Sequence, residues 1–322
     1  MSWNSNRYDK MQYRSCGKWG LKLPVISLGA WQTVGGYEEE EAAKKVFYAA
    51  FEAGITHFDF ANNYGSPAGS AEVLGGKILR ELPLDEIVIA SKAGHRMWPG
   101  PYGDWGSRKY IIASCDQSLK RMGIDYFDIF YHHRPDPNTP LEETHGALET
   151  LIQQGKVLYA GVSGFYSPER SAETVQLRER KNWSPLTVQM NNYSLFNRKL
   201  EEGLKDTAAE HGIGLLAYCP LAQGLLTNKY LNGIPTDSRA GKNKLKPPTE
   251  DELRKIRLLD EVAAARGQSL AQMAMAWILR LKEMTSVVTA VSSLKQLEDS
   301  LKLLDNMEFS EDELRRIDSI LQ

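Results

Sequence analysis

The chain reads as an α/β protein of the (β/α)8 type, a TIM barrel with an N-terminal β-hairpin and long loops at its C-terminal face. Three observations predict this. Eight short β-branched or aromatic runs alternate with amphipathic stretches across 322 residues. Several runs are apolar at successive positions, as strands of a parallel sheet covered on its faces must be. No linker-like segment divides the alternation, so residues 1–322 read as a single barrel domain.

Residues 13–23 (YRSCGKWGLKL) read as a hairpin preceding the first barrel strand. The barrel strands are expected at 25–31, 56–61, 87–92, 126–133, 157–164, 186–193, 214–220 and 286–291. Between them, 38–54 reads as a helix, with acids in its first turn, an apolar stripe through Val46, Phe47, Ala50 and Phe51, and Gly54 as its stop. Similar stretches cover 69–81, 107–122, 141–154, 168–181, 199–211, 249–266, 269–281 and 294–305, with Gly123, Gly155 and Gly212 ending three of them. Two long loops, 93–107 (rich in Gly, Pro and Trp) and the polar 222–248, follow strands and so belong to the C-terminal face, where barrels carry their chemistry.

Composition bounds the function. A net charge of −2 and a pI near 6.3 give no electrostatic footprint for nucleic acid. Cys16, Cys115 and Cys219 are isolated, so neither a disulfide framework nor a thiolate metal site is expected. No run approaches the ~20 apolar residues of a membrane span, and the polar N-terminus lacks a secretory leader, so cytoplasmic residence is the default. A Gly212-Ile-Gly214-Leu-Leu-Ala217 run imitates a dinucleotide fingerprint, but it precedes a strand and does not open a helix.

The chemistry gathers at strand ends. Asp59 and Tyr64 lie in FDFANNYG, Lys92 ends VIASK, and His132 and His133 end DIFYHHR, with spacing leaving the two histidines equal. Their strands are consecutive, so one barrel mouth receives a carboxylate, a phenol, an ammonium and an imidazole. A buried Lys92 needs the counter-ion Asp59 offers. An ammonium beside Tyr64 favours the phenolate, and is expected to lower a pKa ordinarily about 10. Histidine can hydrogen-bond a carbonyl oxygen beside the phenol. Such a site donates protons without metal or nucleophile.

With these residues the chain, from about residue 12 onward, resembles the aldo-keto reductases. The resemblance maps the family's catalytic tetrad onto Asp59, Tyr64, Lys92 and His133, the residue before Arg134. It implies that Tyr64 protonates a carbonyl as hydride arrives from NADPH. The implied cofactor set includes Trp31 and Asp59, then Ser163 and Gln189 at the nicotinamide amide, with Tyr218 stacked on its ring. The backbone of Cys219, Pro220, Leu221 and Gln223 would follow the pyrophosphate. Lys229 and Arg239 match phosphate-contacting cations, the latter at a 2′-phosphate, which favours NADPH over NADH. AVSSLKQLEDS resembles the family's adenine-side motif through Ser292 and Gln296, while Asp299 and Ser300 replace a glutamate and an asparagine.

Within the family, KAGHRMWPGPYGDWGSRKY and QGLLTNKYLNGIP resemble a branch of triose-phosphate reductases and potassium channel β subunits. Between 92 and 109, Lys92, Arg96, Arg108 and Lys109 against Asp104 make four minus one, a +3 rim expected to attract phosphorylated aldehydes. Trp31, Trp98 and Phe165 would wall a small-carbonyl site containing Tyr64 and His133, with Arg134 open to cofactor or substrate. The expected function is NADPH-dependent reduction of small aldehydes, of triose-phosphate or methylglyoxal type. The alternatives are another carbonyl, such as a sugar aldehyde, or a nicotinamide-binding regulatory subunit. A homo-oligomer is possible on this resemblance.

Overall fold

The computed structural model describes residues 3–231, 233–236, 240–241 and 245–322. Strands β1 (Tyr13–Ser15) and β2 (Lys22–Pro24) pair antiparallel as the expected hairpin. The strands that follow are β3 (Ile26–Gly29), β4 (His57–Asp59), β5 (Val88–Ala93), β6 (Phe127–His132), β7 (Val157–Ser163), β8 (Leu186–Asn192), β9 (Gly214–Tyr218) and β10 (Met284–Thr289). They form a closed parallel barrel, in which β10 returns to β3 with Val287 opposite Ile26. The eighth barrel strand begins at Met284, two residues before the run chosen from the sequence. The fingerprint-like glycines are turn residues, Gly212 in left-handed conformation at a helix end and Gly214 opening β9.

Around the barrel lie α1 (Glu40–Glu52), α2 (Ser70–Leu79), α3 (Arg108–Met122), α4 (Leu141–Gln153), α5 (Pro168–Arg180), α6 (Leu204–His211), α7 (Glu250–Ala265), α8 (Leu270–Leu279), α9 (Leu294–Leu301) and α10 (Glu311–Leu321). The stretch expected as one helix over 199–211 is split, because Gly203 at φ 100° interrupts it before α6. α10 was not foreseen. Its signal was in the sequence: Ser310 and Glu313 form a reciprocal capping box ahead of buried Ile317 and Ile320.

Side-chain alternation along the strands decides what reaches the barrel interior. Ala90, Ile129, Tyr131, Val188, Met190, Leu216 and Val288 form the inner cluster, and Cys16 and Leu23 of the hairpin join it. The opposite parity, including Phe58, Ile89, Phe130, Val162, Leu215 and Val287, packs against the helices. A second set of inward positions is polar. Ser27 Oγ bridges His57 Nδ1 at 2.8 Å and Ser286 Oγ at 2.6 Å inside the barrel.

Helix α2 meets α3 at glycine. A Cβ at Gly76 would stand 2.1 Å from the Met122 carbonyl oxygen and 2.5 Å from its Cα. Alanine there gains about 1 kcal/mol of helix propensity. It also forces rigid backbone apart, at about 1–3 kcal/mol. The clash should win, so Gly76→Ala is expected to lower the urea midpoint by the equivalent of about 1–2 kcal/mol, with an unchanged m-value.

Candidate active site at the C-terminal mouth

Asp59 is the last residue of β4 and Lys92 the penultimate residue of β5, both turned inward and both buried. Register places Asp59 beside Ala90, one inward position below Lys92. The ammonium therefore leans back toward the carboxylate. Lys92 Nζ donates to Asp59 Oδ2 at 2.5 Å and to the Phe60 carbonyl at 2.7 Å. It also reaches Tyr64 Oη at 3.5 Å. Tyr64 sits in the turn after β4, where its own carbonyl accepts from Gly69 N at 3.0 Å and Ala71 N at 3.3 Å. Those bonds tie the turn that carries Tyr64 to the start of α2.

Strand parity separates the two histidines. His132 faces the helices, with Nδ1 2.6 Å from Tyr166 Oη. His133 faces the mouth, its ring centroid 5.9 Å from that of Tyr64. Its backbone N donates to the Ala93 carbonyl at 2.9 Å, which extends the β5–β6 ladder by one residue. His133 Nδ1 is sealed without a partner, leaving Nε2 as the nitrogen not sealed off.

Burial governs the titration of this cluster. It pushes the Tyr64 phenol well above 10, with the Asp59 carboxylate adding to the effect. This corrects the expectation of a lowered phenol. The ammonium is spent on Asp59 and Phe60, and desolvation of a phenolate outweighs a contact of 3.5 Å. Tyr64 consequently stays protonated at neutral pH, the form a proton donor requires. Burial also lowers Lys92 and raises Asp59, and their mutual contact opposes both shifts. His133 is pushed well below 6.5, by burial first and Lys92 second, and is neutral.

The remaining residues divide. Ser163 is buried at the end of β7, on the parity of Gly161, whose Cβ would strike the interior Tyr131 ring. Tyr218 packs against the inner cluster at the end of β9. From there the backbone is strained. Cys219, Ala222 and Gln223 have φ of 54°, 46° and 59°, a left-handed conformation costing about 1–3 kcal/mol each in non-glycine residues and concentrated at functional sites. Pro220 and Leu221 lie within this segment. Its turned-out backbone, the inward Ser163 and the Tyr218 ring are what a nicotinamide dinucleotide would need here, so the residues fit that group.

Other expectations are corrected. Gln189 points out of the barrel, where Oε1 accepts from Ser171 Oγ of α5 at 2.8 Å; the inward positions of β8 are Val188 and Met190. The period-two alternation of the strand was the signal that would have excluded it. Asp299 is engaged by α8, accepting from Gln272 Nε2 at 2.6 Å and Ser269 Oγ at 3.2 Å. Ser300 is buried and donates to the Gln296 carbonyl at 2.9 Å, while Gln296 Oε1 accepts from Ser292 N at 2.8 Å. Asp299 and Ser300 therefore serve local structure in this conformation. Lys229 is exposed on the loop after β9, and Arg239 lies outside the described residues.

The +3 rim also dissolves. Lys92 is neutralised inside the barrel, and Arg108 turns to α4, donating to Thr150 Oγ1 at 3.0 Å and the Gly146 carbonyl at 3.3 Å. Trp31 and Phe165 are exposed, Phe165 by 83%, while Trp98 packs on Tyr110 with centroids 5.2 Å apart. His95 and Tyr110, not named from the sequence, join Arg134 and Asp104 at the mouth. The His95 ring lies 4.6 Å from His133, its carbonyl accepts from Tyr110 Oη, and Asp104 pairs with Arg134 at 2.6 Å.

A parallel barrel with a buried Lys–Asp pair reaching a protonated tyrosine beside a neutral histidine is the arrangement a proton-donating oxidoreductase would need. The aldo/keto reductase family profile matches residues 25–322, and the chain belongs to that family. It is similar to L-glyceraldehyde 3-phosphate reductase of Escherichia coli K12 and of O157:H7, 51% identical over 327 residues, covering 98% of this chain and 94% of theirs. It is also similar to a probable voltage-gated potassium channel subunit beta of Arabidopsis thaliana, 36% identical over 306 residues and 92% of each chain. Among the described residues no helix is long and apolar enough to cross a membrane, and no cluster of metal-ligating side chains occurs.

Two outcomes follow from burial. Lys92→Met strands a buried carboxylate and should cost about 3–5 kcal/mol in urea unfolding; adding Asp59→Asn should restore most of it. The second concerns acid. His57 and His132 are depressed to about 3 by burial, and His133 and His145 also lie well below 6.5. The native state excludes protons the unfolded chain binds, so this stability is present above about pH 6.5 and lost as pH falls, by about 1.4 kcal/mol per unit per histidine. Asp128, raised to about 6 by burial, opposes the loss below that pH. Unfolding free energy should drop from pH 6 toward 4, and His145→Leu should flatten that slope by about one proton.

Proposed function

We propose that the protein, as one barrel domain spanning 1–322, reduces small aldehydes to alcohols with NADPH. The observation that carries this reading is the contact chain from Asp59 through Lys92 to Tyr64, with His133 beside it at the barrel mouth. NADPH would be held by Ser163, Tyr218 and the backbone of 219–223 and would supply a hydride. Lys229, Arg239, Ser292 and Gln296 would hold its phosphate and adenosine end, and Trp31 would border the nicotinamide. Every other step belongs to the chain.

His133 donates from Nε2 to the carbonyl oxygen and fixes its direction, a role suited to a neutral imidazole whose Nδ1 is sealed. Tyr64 Oη passes its proton to that oxygen as negative charge develops. A phenolate remains, and the Lys92 ammonium 3.5 Å away stabilises it inside a low-dielectric mouth. Burial that raises the resting phenol thus keeps the donor loaded, and the buried cation limits the cost once the proton has left. Trp31, Trp98 and Phe165 provide apolar walls. We place the protein in the cytoplasm and leave open self-association.

The similarity to a channel subunit supports a second reading, a cofactor-binding regulatory protein that keeps the same site. Tyr64→Phe separates the two roles of the mouth. Turnover, followed by NADPH absorbance with DL-glyceraldehyde, should fall by at least about 10²-fold, the range of a lost general acid. NADPH affinity by fluorescence should change little. Wild-type protein that binds NADPH but reduces no aldehyde would favour the regulatory reading.

A further inference from the structure

Beside His133, the loop over the mouth is held by one arginine. Arg134 Nε donates to the Gly94 carbonyl at 2.7 Å, and Nη2 donates to Asp104 Oδ1 at 2.6 Å. Its guanidinium lies 3.6 Å from the Trp105 ring centroid, and Trp105 itself is left-handed at φ 70°. Asp104 Oδ1 is shared, since it also accepts from Trp105 N at 2.8 Å. Among the described residues Arg134 Nη1 has no hydrogen-bond partner. The guanidinium is thus clamped by Nε and by stacking, while its Nη1–Nη2 edge is half occupied by one carboxylate oxygen. The half-buried imidazole of His95 lies 4.6 Å from His133 by ring centroids, and its pKa is lowered by burial first and by the Arg134 charge second.

An arginine fixed at Nε and presenting two parallel N–H groups is built for a planar or tetrahedral anion. The internal carboxylate contacts it through a single oxygen that has another donor, and both partners are partly solvated, so exchange is cheap. Resting on the reductase reading, we infer that Arg134 and His95 form the subsite for a terminal phosphate on a short aldehyde, and that Asp104 is an internal surrogate which this phosphate displaces. The sequence of events is then exchange at Arg134, with the aldehyde end directed by chain length toward His133 and Tyr64. One guanidinium thus stands where a diffuse basic rim was expected, since Arg108 is committed to α4.

The test compares kcat/KM for DL-glyceraldehyde 3-phosphate and DL-glyceraldehyde, with NADPH, as a ratio for each variant. Arg134→Met should lower the ratio by roughly 30- to 100-fold, and Arg134→Lys should recover only part of it. Asp104→Asn, which removes the competitor, should raise the ratio by about 3- to 10-fold through a lower KM for the phosphorylated aldehyde. Misfolding cannot mimic that gain. His95→Ala should lower the ratio less than Arg134→Met. Ratios within about twofold of wild type for both Arg134→Met and Asp104→Asn overturn the subsite. Equal wild-type kcat/KM for the two aldehydes also overturns it while leaving the reductase reading intact; no turnover of either aldehyde removes that reading itself.

Discussion

A lysine ammonium buried inside a ring of parallel strands is the constraint on which the rest depends. Lys92 is sealed from solvent, and an isolated charge there would cost several kcal/mol. Asp59 Oδ2 at 2.5 Å and the Phe60 carbonyl at 2.7 Å make it tolerable. Both partners come from β4 and the residue after it, so the β4–β5 register must hold for the charge to stay paired. That register in turn sets where the following turn carries Tyr64. A one-residue slip would reverse every side chain of β5 and leave both ions unpaired.

The same alternation gives adjacent residues different work. At the end of β6, His132 joins Tyr166 among the outer helices, whereas His133, the next residue, enters the mouth. On β8, Met190 lines the interior and Gln189 braces α5. The barrel wall is therefore polar on both faces for separate reasons. Inside, Ser27 Oγ joins His57 Nδ1 and Ser286 Oγ. Outside, Arg178 binds Glu149 Oε2 at 2.9 Å and the Ser184 carbonyl at 2.5 Å, holding α4 and α5 to the start of β8.

The loops above the strands refine what the strands position. After β9 three non-glycine residues adopt left-handed backbone, and after β5 the segment 94–107 is folded back, Met97 N bonding to the Gly103 carbonyl at 2.8 Å. Neither loop is a passive connection. One offers turned backbone where a dinucleotide would lie; the other is pinned to β6 through Arg134 and to α3 through Tyr110. Strain and pairing at these points tie the mouth to the rigid wall, which is how a loop-built site keeps its geometry.

Barrel class, strand order and the strand-end placement of Asp59, Tyr64, Lys92 and the His132–His133 pair were legible in the sequence, because apolar periodicity and strand-end placement are local properties; the choice of His133 came from the family resemblance. The tenth helix was legible too, in its Ser310–Glu313 capping box. Gln189, Asp299 and Ser300 were misjudged because a motif specifies residue type, whereas parity and helix contacts specify direction. The rim charge failed for a related reason: a count along the chain cannot tell that Arg108 turns to α4 or that Asp104 holds Arg134. By itself, then, the order of residues determined which chemical groups arrive at one end of a closed sheet. Tertiary packing alone decided which of them face each other, which are spent on structure, and that burial would raise the tyrosine and keep it protonated, since desolvation and pairing depend on atoms brought together from distant parts of the chain.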